Sequence, residues 1–332
     1  MLLPSEIFLH DIYQAIMELF RNCKKYIHEK TILGSYFRLG EQGQGESLKH
    51  HDEAFIRKLD LTAVKIRKHI IEMLYLAKSG HPGGSLSAVE AIVALYFHHM
   101  NHDPKNPNDP NRDRFVLSKG HAAPTLYAAL AECGYFDVEE LKHLRQINCM
   151  LQGHPVCRHI PGVEASTGSL GHGLSFGIGV ALAGKLDKRT YRVYTMVGDG
   201  ETNEGQIWEA ATSAAHYKLD NLTGLIDRNY LQIDGSTEDV LRLESVRDRW
   251  SSFGWHVIEV DGHDIEEIID ALLAASEQKN QPTMIILNTV KGKGVSFMEN
   301  NIDFHGVPPN EMEYKLAMKE LDTAQKALEA SL

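Results

Sequence analysis

One stretch constrains this chain more than any other. The run YRVYTMV (191–197), rich in aromatic and β-branched residues, leads straight into Gly198-Asp199-Gly200. A helical pattern follows over 204–217, and a second strand-like run, LTGLID (222–227), ends in Asp227-Arg228-Asn229-Tyr230-Leu231. Strand, helix and strand in this order make the unit of a parallel sheet. Asp199 and Asn229 then stand at the carboxyl ends of strands, the edge where open α/β sheets place their ligands. A carboxylate, a side-chain amide and a nearby backbone carbonyl are hard oxygen donors that suit Mg²⁺ or Ca²⁺ and leave positions for phosphate oxygens. Gly200 allows the backbone to approach such a phosphate. GDG alone is also a common turn, and Asp199 could simply end a strand; Asn229, 30 residues on, weighs for the ligand reading. No Lys-Ser/Thr follows a glycine-rich loop, so the pattern is not a nucleotide P-loop.

The rest of the chain repeats this alternation. Further strands are expected at 114–117, 256–260 and 283–288, with helices between them. One helix carries Leu61, Val64, Ile66, Ile70, Ile71 and Leu74 and ends before Ser79-Gly80-His81-Pro82-Gly83-Gly84; Ser85 or Ser87 starts another, running to Met100. A last helix is capped by Asn310 with Glu313 three residues on. The fold expected is α/β, a mostly parallel sheet flanked by helices. Residues 1–53 are set apart as an N-terminal extension, a helix followed by an aperiodic linker (34–53), and 54–332 as one domain.

Composition narrows the class. With 34 Lys+Arg against 45 Asp+Glu the net charge is −11, which speaks against nucleic acid or an anionic membrane as the main partner. Four cysteines in 332 residues make no disulfide framework. Glu6, Asp11 and Glu18 interrupt what would be a signal core, and no run reads as a membrane span. A reduced, cytoplasmic setting is the expectation.

Seven motifs then stand in order: SGHPGGSLS (79–87), LSKGHAAPTLYAAL (117–130), GHP (153–155), STGSLGHGLS (166–175), GDGETNEGQIWEA (198–210), DRNYLQIDG (227–235) and HGVPP (305–309). Together they resemble the diphosphate-binding domain of the transketolase family, a family of thiamine diphosphate enzymes, over residues 79–309. The resemblance implies that Asp199, Asn229 and the carbonyl of Leu231 hold the divalent ion and that the Gly200 N–H meets the diphosphate. It implies that His121 and His305 contact the diphosphate, that His81 and His154 contact substrate, and that His305 also meets the reacting groups. Gly168, Ser169 and Leu170 would run beside the cofactor. Imidazoles suit such a site because they give or take protons near neutral pH. Glu204 and Glu209, on the helix after GDG, fit either an interface between subunits or a solvated face. The sequence departs from the familiar family pattern at His172 and Ser169, which bears on substrate detail.

Other readings are weaker. Gly171-x-Gly173-x-x-x-Gly177 follows no clear strand and lacks the acidic residue of a dinucleotide loop. The spacing of Cys149, His154, Cys157 and His159 fits no common structural zinc site. The α-subunit of 2-oxoacid dehydrogenases shares GDG…N but not SGHPGG or HGVPP in this arrangement. A non-catalytic regulatory subunit would have no need of Asp199, Asn229 and all four histidines. Familiar transketolases continue into a second domain, which gives a Glu to the cofactor's pyrimidine ring and arginines to sugar phosphates. The expectation is therefore the N-terminal subunit of a split transketolase, transferring a two-carbon ketol unit between sugar phosphates. A separate C-terminal subunit would carry the pyrimidine-binding domain, in an α₂β₂-type assembly.

Overall fold

The computed structural model describes residues 51–331. The helix expected in 1–33 and most of the linker at 34–53 lie outside the described residues. The first element, α1 (Glu53–Ala77), begins earlier than its apolar pattern suggests because the Asp52 carboxylate caps it, accepting from the Ala54 N–H at 3.1 Å. Ile66, Ile70, Ile71 and Leu74 form its fully buried stripe. The helix expected from Ser85 or Ser87 to Met100 is divided. It becomes α2 (Pro82–Leu86), with Pro82 in its first turn, then α3 (Val89–Ala94), then a π-helical turn at Leu95–His99. Ser87 is the C-cap of α2 and not the N-cap of α3; its hydroxyl donates to the buried carboxylate of Asp227 at 2.6 Å.

After β1 (Arg114–Leu117) and α4 (Ala123–Cys133), the chain reaches α5 (His172–Leu186) and β2 (Val193–Gly198). Next come α6 (Gly205–His216) and β3 (Leu222–Arg228), then a small hairpin of β4 (Leu231–Gln232) and β5 (Gly235–Ser236). Two short helices, α7 (Thr237–Val240) and α8 (Val246–Ser252), lead to β6 (His256–Asp261), α9 (Ile265–Glu277) and β7 (Thr283–Asn288). The last helix, α10 (Glu311–Glu329), starts with the expected capping box of Asn310 and Glu313. No helix among the described residues is long and apolar enough to cross a membrane.

The sheet runs β1-β2-β3-β7-β6 with every pairing parallel. Both faces are covered. Tyr194, Met196, Leu225, Ile285 and Leu287 face one core with α1, α3, α4 and α9. Val193, Val197, Leu222, Ile226, Met284 and Ile286 face the other with α5, α6 and Trp250 of α8. This strict alternation along strands that are apolar on both sides is what a sheet buried between two helical layers requires.

The glycines of α5 make close packing possible, against the sheet rather than another helix. A Cβ on Gly177 would stand 2.3 Å from Thr195 Oγ1 of β2, and one on Gly184 would stand 2.8 Å from the Tyr191 ring; one on Gly179 would meet nothing within 4 Å. Gly177→Ala is therefore expected to destabilise the chain by about 1–3 kcal/mol through overpacking, whereas Gly179→Ala is neutral or stabilising. Urea denaturation of the two variants side by side checks this.

Candidate cofactor and active site

Four neighbouring strands deliver their carboxyl ends to one cavity of about 400 Å³. The segment after β1 brings Lys119 and His121, β2 runs into Asp199 and Gly200, β3 into Asn229 and Leu231, and β7 into Lys291. His81 arrives as the N-cap of α2 and His305 at the end of a 3₁₀ turn. Of the residues singled out in the sequence, His81, His121, Gly168, Leu170, Asp199, Gly200, Glu204, Asn229, Leu231 and His305 line this cavity. Ser169 and His154 do not. The exposed His154 ring packs against Gly168 of the lining, where a Cβ would lie 2.8 Å from its Cδ2. Gly168 has φ +135, so only glycine fits there on both counts.

Three imidazoles form one cluster. Ring centroids lie 5.2 Å apart for His81 and His121, 5.7 Å for His81 and His305, and 5.5 Å for the stacked pair His121 and His305. Burial, followed by the charges of Arg145, His154 and Lys291, lowers His81 to about 4. Burial and then Lys291 lower His305 to about 3. His121 is held well below the ordinary value, by burial first and Lys119 second. At neutral pH all three rings are therefore uncharged and can accept or donate hydrogen bonds. His81 Nδ1 is buried with no hydrogen-bond partner among the described residues.

The expected metal donors lie together. Asp199 is 2% exposed, and burial with the neighbouring charge of Asp227 pushes its carboxyl up to about 6. Its oxygens accept from the N–H groups of Gly200 (2.7 Å) and Tyr230 (2.6 Å), with the Arg228 guanidinium at 3.4 Å. Asn229 Oδ1 accepts from the Leu231 N–H at 3.2 Å, and the Leu231 carbonyl accepts from Lys291 Nζ at 3.0 Å. Among the described residues no group of three or more His, Cys, Asp and Glu side chains is arranged to hold a metal. The set expected at Asp199 has one such side chain, the other donors being an amide and a carbonyl. Asp199 Oδ1, Asn229 Oδ1 and the Leu231 carbonyl each have a second lone pair to offer, and a buried carboxylate with a raised pKa gains from a cation, so the donor chemistry fits a hard divalent ion.

Several residues that sequence reasoning passes over hold the site in shape. Asp227, fully buried, accepts from Lys119 Nζ, Ser87 Oγ, Thr289 Oγ1 and Asn229 Nδ2, tying three strand ends to α2. Lys119 Nζ also donates to the Gly84 carbonyl at 2.8 Å. Lys291 Nζ lies 2.7 Å from His305 Nδ1, and burial with the charge of Lys119 brings it down to about 8. Glu201, rather than the exposed Glu204 and Glu209, is the buried acid after GDG: it accepts from Ser118 Oγ and from the N–H groups of Gly171 and Gly198. Lys119 has a signal in the sequence, the motif at 117–130. Lys291 has only its position just beyond a strand.

A parallel sheet with hard oxygen donors, two ammonium groups and three neutral imidazoles at its carboxyl edge is built to bind a diphosphate cofactor. The family model described as "Transketolase, thiamine diphosphate binding domain" matches residues 60–329, and the chain belongs to the transketolase family, whose members transfer ketol groups. The chain is 44% identical over 274 residues to an apulose-4-phosphate transketolase subunit of Phocaeicola vulgatus, covering 97% of that protein. It is 47% identical over 257 residues to the 6-deoxy-6-sulfo-D-fructose transketolase subunit SqwG of Clostridium sp., covering 94% of it. Against human transketolase the identity is 43%, over 79% of this chain and 42% of the human protein. The Campylobacter jejuni transketolase structure superposes with a TM-score of 0.76 at 32% identity, over 84% of this chain and 46% of that one. The chain thus spans less than half of those two transketolases and nearly the whole of the two named subunits.

Proposed function

We propose that this chain is the cofactor-binding subunit of a divided transketolase, moving a two-carbon ketol unit from a ketose to an aldose in a complex with a second chain. The observation that carries this is the convergence of Asp199, Asn229, Leu231, Lys291 and three neutral histidines on one cavity, in a chain matched along nearly the whole of named transketolase subunits. In this reading Asp199, Asn229 and the Leu231 carbonyl hold Mg²⁺ or Ca²⁺. The Gly200 backbone, His121, His305 and the Lys119 and Lys291 ammonium groups face the diphosphate, and Gly168, Ser169 and Leu170 run beside the cofactor. Bound there, thiamine diphosphate supplies the electron sink for breaking and remaking a carbon–carbon bond beside a ketone.

The protein's own part is binding, orientation and proton handling. His81 and His154 hold the sugar's hydroxyl and carbonyl groups. His305, neutral beside Lys291, takes and returns a proton at the reacting oxygen, with the ammonium stabilising negative charge that builds up there. Both of the named relatives of this length are called after a ketose with an anionic end, and we extend that class to this chain, with pentose phosphates as the first substrates to try. The second chain, carrying the pyrimidine-binding domain in an α₂β₂-type assembly, supplies the remaining contacts. Tyr230, Ile233, Val240 and Leu241, apolar and at least 44% exposed at or beside the cavity, offer it a docking rim. The cellular setting proposed is the cytoplasm; the described cysteines Cys133, Cys149 and Cys157 are free thiols.

The test is a ketol-transfer assay with thiamine diphosphate and Mg²⁺, run with the purified chain alone and with the product of a neighbouring gene added. Turnover is expected only in the mixture. Robust activity from the chain alone would sink the divided-enzyme reading.

A further inference from the structure

The two histidines assigned to substrate sit in the same tripeptide, Gly80-His81-Pro82 and Gly153-His154-Pro155, and Arg145 lies against both glycines. Its guanidinium donates to Ser79 Oγ at 3.0 Å, beside the first turn. A Cβ on Gly153 would stand 2.8 Å from Arg145 Cζ and 3.0 Å from its Nε and Nη2, so the guanidinium occupies the space a side chain would need in the second turn. A Cβ on Gly80 would lie 3.9 Å from the same Nε. The backbone of Arg145 is itself fixed, in a left-handed conformation with φ 61 and with its N–H donating to the Leu151 carbonyl at 2.8 Å. Among the described residues its side chain makes the one hydrogen bond to Ser79 and no ion pair.

We propose that Arg145 is a positioning residue: it holds the two Gly-His-Pro turns against each other through their glycines and so sets the spacing of the His81 and His154 rings. The proposal rests on the assignment of those rings to substrate made above. The guanidinium is a permanent cation with no carboxylate to neutralise it. After burial, it is the leading charge that lowers both imidazoles. His81 also faces the rings of His121 and His305 and the Lys291 ammonium, while His154 faces the Gly168 backbone. One side chain thus fixes the geometry of two sugar-holding imidazoles and, after burial, adds to what keeps their lone pairs free at neutral pH. Lysine cannot replace it in both respects, because an ammonium keeps the charge but lacks the planar fork that spans both turns.

The experiment follows the histidines directly. The full chain is labelled with ¹³C-histidine and titrated by NMR, with His81→Gln and His154→Gln assigning the signals; neither substrate nor partner chain is needed. Arg145→Met and Gly153→Ala, the latter displacing the guanidinium, are expected to raise both midpoints, while Arg145→Lys leaves them near the wild-type values. In the assembled enzyme Arg145→Met should lose about tenfold in kcat/KM for the ketose and move the acid limb of its pH profile up by about half a unit. Arg145→Lys should restore the profile but not the rate. If Arg145→Met fails to fold, Arg145→Gln carries the same comparison. Midpoints that stay put in a folded Arg145→Met chain overturn the proposal. Midpoints that move in a chain whose wild-type complex transfers no ketol unit uphold it, and overturn the functional reading instead.

Discussion

Asp199→Ala should weaken metal-dependent binding of thiamine diphosphate by more than about 100-fold, because it removes the one carboxylate from the proposed donor set. Groups that merely orient a metal ligand are worth about 10–100-fold when lost, and a ligand itself should exceed that. The remaining amide of Asn229 and carbonyl of Leu231 bring no charge to a divalent ion. The substitution also strips the acceptor from the Gly200 and Tyr230 N–H groups and takes one carboxylate from Arg228, which keeps Thr237, Glu238, Glu244 and the Tyr230 ring. Circular dichroism alongside calorimetry, with Mg²⁺ and with chelator, separates lost binding from lost structure. Unchanged affinity in a folded variant would place the ion elsewhere.

The second large effect is on stability. Lys119 is 1% exposed and Asp227 fully buried, and Lys119→Met leaves the carboxylate without its cation in the interior. Breaking such a pair from one side costs about 3–5 kcal/mol, readable by urea denaturation of the full chain. The double variant Lys119→Met/Asp227→Asn removes both charges and should recover most of the loss. The pH dependence follows in sign. Although burial alone would raise it, the Lys119 charge and the hydrogen bonds from Lys119, Ser87 and Thr289 hold the Asp227 carboxyl below its ordinary value. The wild-type pair therefore contributes its stability at neutral pH and loses it on acidification below the usual carboxylate range. In Lys119→Met the carboxyl titrates higher, so its deficit against wild type should shrink as the pH falls. A deficit independent of pH would show that lost packing, not the orphaned charge, is responsible.

How much of this can be read in the sequence differs from element to element. The strands at 114–117 and 283–288 lie where the apolar runs place them, because a strand buried on both faces writes its own boundaries. Asp199 and Asn229 are legible because each ends such a strand. The stretch from Ser85 to Met100 reads as one helix but is divided at Ser87-Ala88, where the Ser87 hydroxyl is bound to Asp227, far away in the chain. Lys291 and Asp227 are invisible for the same kind of reason. Their roles come from strand order, which sets β7 beside β3 and so brings Lys291 onto Leu231 and Thr289 onto Asp227. Glu201 hides among its neighbours Glu204 and Glu209, since nothing in the run GDGETNEGQ tells which acid turns inward.

The gathering of four strand ends around one cavity bears on the life of the chain before it meets its cofactor. A ligand that touches His81, His121, Asp199, Asn229 and Lys291 at once fastens together segments far apart along the polypeptide, as a removable cross-link would. Free energy of association then becomes free energy of folding: at a ligand concentration 100 times the dissociation constant the native state gains about 2.7 kcal/mol. Saturation with such a ligand is in this way expected to slow proteolysis of the chain.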